Sequence, residues 1–309
     1  MSRPTAVVFA HHDVGVRCLK ALISAGVEIA LVVSVPDDPA ENRWYASVAD
    51  TARDYGLELL TAATAADAAL AGRVVTLAPD FLFSFYYRAL LGAPLLRAAR
   101  RGALNMHGSL LPKYRGRAPV NWAILKGERE SGATLHYMVE QADAGDIVDQ
   151  MSVPILADDD AREVLAKVTV AAETVLSRTL PALLDGSAAR RPQDLAAGQY
   201  FGRRRPEDGR IDWSRPAREI HDLVRAVAPP FPGAFAEVGG ERWGIHRTRL
   251  SERRAAPAER ARLFAAAGEC CLGCGDGGVL RLLAAATAAG PVDLAALARR
   301  AAQRPLALG

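Results

Sequence analysis

The sequence lacks most of the features that would set it apart from ordinary globular proteins. No apolar run reaches the length needed to cross a bilayer, so an integral membrane protein is not expected. Met1-Ser2-Arg3-Pro4 leads straight into the short apolar stretch 5–10, which His11-His12-Asp13 closes before it can form the core of a secretion signal. Only four cysteines occur, Cys18, Cys270, Cys271 and Cys274, and they form no secreted disulfide framework. With no leader, the expected compartment is the reducing cytoplasm. Cys271 and Cys274 make a lone C-x-x-C without a second ligand pair, so no metal is expected. Excess charge is missing as well. The formal net charge is +3, which demands neither nucleic acid nor an anionic membrane as a partner. Internal repeats and long low-complexity segments are absent.

What remains is 309 residues of unexceptional apolar and charged content, enough for one large domain with a buried core and a smaller one. The first half alternates strand and helix patterns. Residues 5–10 read as a buried strand, 11–13 as a turn, 14–25 as an amphipathic helix and 27–35 as a second strand, the opening of a parallel sheet. Weaker elements follow at 45–55 (helix), 57–60 (strand) and 66–77 (helix). The Phe-rich strand 80–85, the helix 90–100 and the strand 103–107 complete the series. A helix is expected at 119–126 with Pro119 in its first turn, then strands at 132–139 and 147–155. Asp158-Asp159-Asp160 offers caps for a long helix to about residue 184. The small and polar stretch 186–199 reads as a linker. Beyond it the texture changes to one helix ending near 227, short strands around 234–238, 242–249, 270–272 and 279–283, and a closing helix at 292–303. The expected fold is therefore α/β, a Rossmann-like parallel-sheet domain over 1–200 followed by a small β-rich, OB-like domain over 201–309.

Two apparent nucleotide signals dissolve on inspection. No dinucleotide fingerprint follows the first strand, where Gly15 stands alone, so NAD is not expected. Gly273-Cys274-Gly275-Asp276-Gly277-Gly278 does contain G-x-G-x-x-G, but a strand-like stretch follows it, which makes it a hairpin turn.

The chemistry is concentrated in residues 105–117, which run Asn105-Met106-His107-Gly108-Ser109-Leu110-Leu111-Pro112-Lys113-Tyr114-Arg115-Gly116-Arg117. In an extended strand Asn105 and His107 project from one face. A carboxamide that can hold an oxyanion and an imidazole that can move a proton then converge on one reacting atom. Asp143, in the small-residue loop Ala142-Asp143-Ala144-Gly145, is either a turn aspartate or the carboxylate that favours the imidazolium. Asn105, His107 and Asp143 together suit acyl transfer to an amine without a metal. Lys113, Arg115 and Arg117 are either a solvated loop or a site for phosphate or carboxylate. Polar groups also fall at other strand ends, namely His11, His12 and Asp13, and Tyr86, Tyr87 and Arg88. His136, His221 and His246 read as structural or surface histidines.

Asn105-x-His107, Ser109-Leu110-Leu111-Pro112 and the later Asp143 resemble the 10-formyltetrahydrofolate-dependent formyltransferase family in residue kind, order and separation. Phe83-Ser84-Phe85-Tyr86-Tyr87-Arg88, Phe201-Gly202-Arg203-Arg204 and Pro232-Gly233-Ala234-Phe235 extend the likeness over nearly the whole chain. Within the family it looks most like members that formylate UDP-4-amino-4-deoxy-L-arabinose, a step of lipid A modification and polymyxin resistance. The resemblance implies a cytoplasmic enzyme whose partners are a nucleotide sugar and 10-formyltetrahydrofolate. It further implies that Asn105 stabilises the transition state, His107 is the acid–base residue and Asp143 supports it. Folate contacts are implied at Ala89, Leu90, Leu91 and Arg117, and along Val139, Glu140, Gln141, Ala142 and Asp143. Methionyl-tRNA formyltransferase is the nearest alternative, but that branch carries a basic insertion after the second strand where this chain has the short, acidic residues 36–42. Other nucleotide-sugar amines are further alternatives, as are a non-catalytic relative and a hydrolase releasing formate. Bifunctional members continue into an NAD-dependent decarboxylase module that this sequence does not include, so that oxidation is expected to belong to another polypeptide.

Overall fold

The Phe-rich strand shows why the first half folds as it does. In Phe81-Leu82-Phe83-Ser84-Phe85 alternate residues share a face, and the three phenylalanine rings stack with centroids 5.7 and 5.5 Å apart. All three are buried, each worth roughly 1.5–3 kcal/mol of removal from water. A computed structural model describes residues 3–36, 42–65 and 67–309 of the chain. Most of the acidic stretch weighed against tRNA, residues 37–41, lies outside the described residues.

The chain runs β1 (Thr5–Ala10), α1 (His12–Ser24), β2 (Glu28–Ser34), α2 (Val48–Asp54), β3 (Leu59–Thr61), α3 (Ala68–Leu77), β4 (Phe81–Phe85), α4 (Ala93–Ala98) and β5 (Gly102–His107). It continues through β6 (Arg115–Gly116), α5 (Pro119–Leu125), β7 (Glu130–Tyr137), β8 (Ile147–Pro154), α6 (Ala161–Asp185) and β9 (Tyr200–Phe201). Seven strands form one sheet in the order β3-β2-β1-β4-β5-β7-β8. Strands β2, β1, β4 and β5 are mutually parallel, but β7 pairs with β5 antiparallel, so the sheet is mixed where a parallel one was expected. The chain winds outward from β1 to β3, then returns to lay β4 on the other side of β1. The crevice between the carboxyl ends of β1 and β4 is thus the switch point of the sheet.

Local chemistry sets the element ends. Asp67 caps α3 by accepting from the Ala69 and Leu70 amides. Asp160 and Glu163 cap α6 reciprocally, each side chain accepting from the other's backbone amide. Gly15 lets α1 approach the sheet, because a Cβ there would stand 3.1 Å from Ala10 and 3.0 Å from Val48. Residues 11–13 are not the expected turn. The His11 backbone is extended and α1 begins at His12, whose φ of 67° is left-handed.

The chain divides into two compact units. The first is residues 1–119, 130–153 and 165–202, and the second is 120–129, 154–164 and 203–309. The second unit contains α7 (Ala217–Ala226), β10 (Ala234–Val238), β11 (Glu241–Arg254), β12 (Arg262–Ala266), β13 (Glu269–Gly273), β14 (Gly278–Thr287), β15 (Gly290–Pro291), α8 (Leu294–Gln303) and β16 (Leu306–Ala307). Its antiparallel sheet runs β10-β11-β14-β13-β12-β16. Glu237 and Gly309 exchange backbone hydrogen bonds, which brings the last strand back to the first and closes the sheet into a barrel. Residues 273–278 are the β13–β14 turn, and all four cysteines of the chain are buried free thiols. Strand β12 carried no clear alternation in the sequence. Among the described residues, no helix is long and apolar enough to cross a membrane.

Helix α7 turns charged residues inward. Arg225 Nε donates to Asp222 Oδ1 at 2.8 Å, with both side chains 5% exposed, and Arg225 Nη1 donates to the Asp159 carbonyl at 3.0 Å. Removing one partner of a buried pair strands the other charge. Asp222→Ala is therefore expected to lower unfolding stability in urea by about 3–5 kcal/mol, with most of the loss recovered in the Asp222→Ala/Arg225→Met double variant. A loss near zero in the single variant would show the pair to be dispensable.

Candidate functional site

Strand β5 places Asn105 and His107 on one face, as their spacing requires. What fixes their partners is the antiparallel register, in which Asn105 stands opposite His136 and His107 opposite Thr134. The His136 Nδ1–H donates to the Tyr137 carbonyl at 2.8 Å, which leaves Nε2 to accept from the Asn105 amide at 3.1 Å. The carboxamide is thereby oriented.

The loop after β5 is tied into a compact turn. Ser109 Oγ donates to the Lys113 carbonyl at 2.6 Å, Thr134 Oγ1 to the Ser109 carbonyl at 2.6 Å, and Gln150 Nε2 to the Leu111 carbonyl at 2.8 Å. These bonds explain why a serine opens the Ser-Leu-Leu-Pro run. The turn delivers the Tyr114 carbonyl to His107, whose Nε2–H donates to it at 2.8 Å. In the neutral ring Nδ1 then carries the lone pair. The Tyr114 ring stacks on Phe201 at 5.1 Å, and β6 pairs in parallel with β9 beside it.

Asp143 completes the cluster. Its Oδ2 accepts from the Gly116 amide at 2.8 Å, while Oδ1 lies 3.6 Å from His107 Nδ1, 3.6 Å from His136 Nε2 and 3.5 Å from Asn105 Nδ2. Gln193 Nε2 donates to the carbonyls of Asp143 and Gly145 at 3.1 and 2.6 Å, holding the loop in which Asp143 has φ 53°. Gly116 is required where it stands. Its φ is 99°, and a Cβ would collide with the Phe201 carbonyl. Burial alone would push the Asp143 carboxyl up. The Gly116 amide and, when the rings are protonated, the charges of His107 and His136 outweigh that and hold it well below the usual carboxylate range.

The structure thus brings Asn105, His107 and Asp143 together and adds His136, which had read as structural or surface. His136 is 1% exposed and touches two of the three. The only sequence signal for it was its parity with Thr134 on an alternating strand. His221 is a buried histidine of α7 between Thr248 and the Ala157 carbonyl, and burial lowers the pKa of both His221 and His246. Tyr86, after β4, lays its hydroxyl over Gly108, where any Cβ would collide with it.

The positions implied for folate fall in three loops. Ala89, Leu90 and Leu91 follow β4, and Ala89 and Leu91 pack on the core while Leu90 is 74% exposed. Val139, Glu140 and Gln141 are exposed after β7, with Ala142 half-buried next to Asp143. Arg117 follows β6 with its side chain exposed and its amide bonded to the Phe201 carbonyl. Of the cationic run, Arg115 is instead buried, its guanidinium reaching the Leu195 carbonyl at 3.5 Å.

A carboxylate held ionised by native contacts contributes stability above its unfolded pKa and loses it as pH falls through the folded value. For Asp143 the loss is expected to begin near pH 4, since the unfolded carboxyl titrates at about 3.9, and to continue well below it. Denaturant unfolding followed from pH 7 to pH 3 should show a steeper acid loss in the wild type than in Asp143→Asn. Equal slopes would mean that the carboxylate is not stabilised by its neighbours.

Comparison with known proteins gives this geometry a family. The Formyl transferase profile matches residues 6–180, more than half of the chain, and the profile Formyl transferase, C-terminal domain, matches residues 204–298. An N-formyltransferase from Helicobacter canadensis, solved with folinic acid and dTDP-3-aminofucose, shares 19% identity over 91% of this chain and 99% of its own, with a TM-score of 0.71. WlaRD, a sugar 3N-formyl transferase solved in the presence of dTDP and 5-N-formyl-THF, shares 18% over 95% and 99%, also at 0.71. A 4-N formyltransferase from Francisella tularensis shares 22% over 75% and 91%, at 0.62. At such identities these structures establish likeness of fold, whereas the two profiles, matched in order, reach further: the chain belongs to the formyl transferase family.

Proposed function

We propose that the chain transfers a formyl group from 10-formyltetrahydrofolate to the amino group of a nucleotide sugar, UDP-4-amino-4-deoxy-L-arabinose being the first candidate acceptor. The observation that carries this reading is the convergence of a carboxamide, an imidazole and an ionised carboxylate at the end of β5. Acyl transfer to an amine passes through a tetrahedral oxyanion and releases protons from the attacking nitrogen. One Asn105 N–H is held by His136, and the other, only 3.5 Å from Asp143, is the one available to the oxyanion. Because Tyr114 holds His107 Nε2–H, Nδ1 is the nitrogen that takes the amine proton and returns one to the departing nitrogen. Asp143, beside Nδ1, supplies the counter-charge while the ring is protonated.

The residues present suit a folate. Leu90 and Val139, both among the implied contacts, are large apolar side chains left 74% and 48% exposed, as a surface awaiting a pterin or benzoyl ring would be. An amino-sugar acceptor is favoured over tRNA by the motifs shared with sugar-modifying members and by two of the solved relatives, one described as a sugar 3N-formyl transferase and one bound to dTDP-3-aminofucose. A role in lipid A modification and polymyxin resistance follows only if the arabinose acceptor is correct.

The test is incubation with 10-formyltetrahydrofolate and, separately, UDP-4-amino-4-deoxy-L-arabinose, a dTDP-amino sugar and methionyl-tRNA, with the formamide followed by mass spectrometry. A nucleotide-sugar formamide is expected. His107→Ala should lower kcat/KM by about 10²–10⁴-fold and Asn105→Ala by about 10²–10³-fold. Formylation of the tRNA alone would replace the acceptor, and an active His107→Ala variant would remove the mechanism.

A further inference from the structure

The stretch 186–199, which reads in the sequence as a linker, does more than connect. Residues 190–201 lie as a strap across the two loops that meet at Asp143. Arg190 lays its guanidinium 3.7 Å over the ring of Tyr137, the last residue of β7. Arg191 exchanges backbone hydrogen bonds of 2.8 and 2.9 Å with Ile147, the first residue of β8. Both ends of the Asp143 loop are thereby gripped, and its middle is gripped by Gln193, whose Nε2 donates to the carbonyls of Asp143 and Gly145.

The same strap then crosses the loop after β5. Gly198 passes so close to the Pro112 carbonyl that a Cβ there would collide with it. The Gln199 carbonyl accepts from the Arg115 amide at 3.0 Å and the Phe201 carbonyl from the Arg117 amide at 2.9 Å, one on either side of Gly116. Gly116 is the residue whose amide donates to the Asp143 carboxylate. The contacts therefore close into a ring, from the Asp143 side chain to Gly116, through β6 and β9 into the strap, and through Gln193 back to the Asp143 backbone.

Three features set Gln193 apart from an ordinary loop residue. An amide nitrogen carries two hydrogens and two carbonyls take them, which fixes the orientation of the carboxamide. Its Oε1 is buried with no hydrogen-bond partner among the described residues, so the donor end accounts for where the side chain lies. The carbonyl it holds at 3.1 Å is that of Asp143 itself, whose φ of 53° is a conformation that non-glycine residues keep only where their surroundings impose it.

Resting on the acyl-transfer reading above, we propose that Gln193 is a positioning residue for formyl transfer, acting through Asp143 from a strap that braces the loops on both sides of the carboxylate. It holds the Asp143 loop so that one carboxylate oxygen meets the Gly116 amide and the other faces His107 and His136. A small misplacement of a group at the reacting centre costs rate more than binding.

Kinetics and a carboxyl titration test this together. Gln193→Met keeps the bulk of the side chain without its donors, and Gln193→Ala removes both. In each, kcat for transfer from 10-formyltetrahydrofolate should fall about 10- to 100-fold while KM for the amino sugar stays within about twofold of wild type. The loss should shrink to about twofold when the same substitutions are made in Asp143→Asn, because residues that act through one group are not additive. Carbon NMR of the substrate-free chain follows the Asp143 carboxyl from about pH 7 to about pH 4, its signal identified by its absence from Asp143→Asn. The wild-type carboxyl should stay ionised throughout, whereas in both Gln193 variants it should be measurably protonated at the acid end, moving toward the ordinary value of about 3.9. A merely structural residue would lower stability and leave both readouts unmoved. The proposal is overturned if kcat is unchanged in Gln193→Met, if the loss falls on KM, if it persists in full beside Asp143→Asn, or if the carboxyl titrates alike with and without Gln193. If the wild type formylates no amine, the acyl-transfer reading fails and the titration alone decides whether Gln193 positions Asp143.

Discussion

The arrangement around β5 depends on one carboxylate being kept charged in a place that disfavours charge. Asp143 is largely buried, and what compensates is a backbone amide at 2.8 Å on one oxygen and, when protonated, two imidazoles at 3.6 Å around the other. Each partner is supplied by a separate piece of architecture. The amide comes from a left-handed glycine in the loop after β5, one imidazole from β5 and the other from its antiparallel neighbour. The Asp143 loop is secured from a fourth direction by Gln193. A group held from several elements is positioned by the fold as a whole, and its neighbours inherit that fixity.

The loop between His107 and Gly116 shows how a motif of ordinary residues serves this end. Ser109 within it, Thr134 of β7 and Gln150 of β8 each donate to one of its backbone carbonyls, so these side chains shape the path of the chain and leave the chemistry to the atoms at its two ends. Tyr114 contributes its carbonyl, and Gly116 its amide. Sequence similarity in such a loop therefore reflects geometry more than reactivity.

The longer strands and helices of the first half and the shared face of Asn105 and His107 were legible because they rest on short-range periodicity, whereas the short β6, β9, β15 and β16 and strand β12 were not. Nor was His136. Its importance comes from standing across from Asn105, and register between strands β5 and β7 is decided by the loop after β5 and by the Thr134 bonds, which no local pattern reveals. The antiparallel course of β7 was hidden for the same reason. His11 to Asp13 misled in the opposite sense, since a polar trio after a strand suggests a turn, yet the first of them caps α1 and the second begins it. Asp143, which the sequence left open between turn and site, lies in a loop that sets it against His107, His136 and Asn105.

The inward-facing polar residues of α7 have a consequence for how the chain is partitioned. Arg225 donates to the Asp159 carbonyl, the Ala157 carbonyl bonds His221, and Asn121 donates to the Ala226 carbonyl, so two stretches from far upstream, 120–129 and 154–164, are woven into the second unit. Its barrel closes within the last third of the sequence, which invites cutting the gene just before residue 203. Such a fragment would retain every barrel strand and yet leave a guanidinium, an imidazole and a carbonyl facing gaps where their partners had been. The second unit is contiguous in space but interleaved in sequence, and the two ways of drawing its border are not interchangeable.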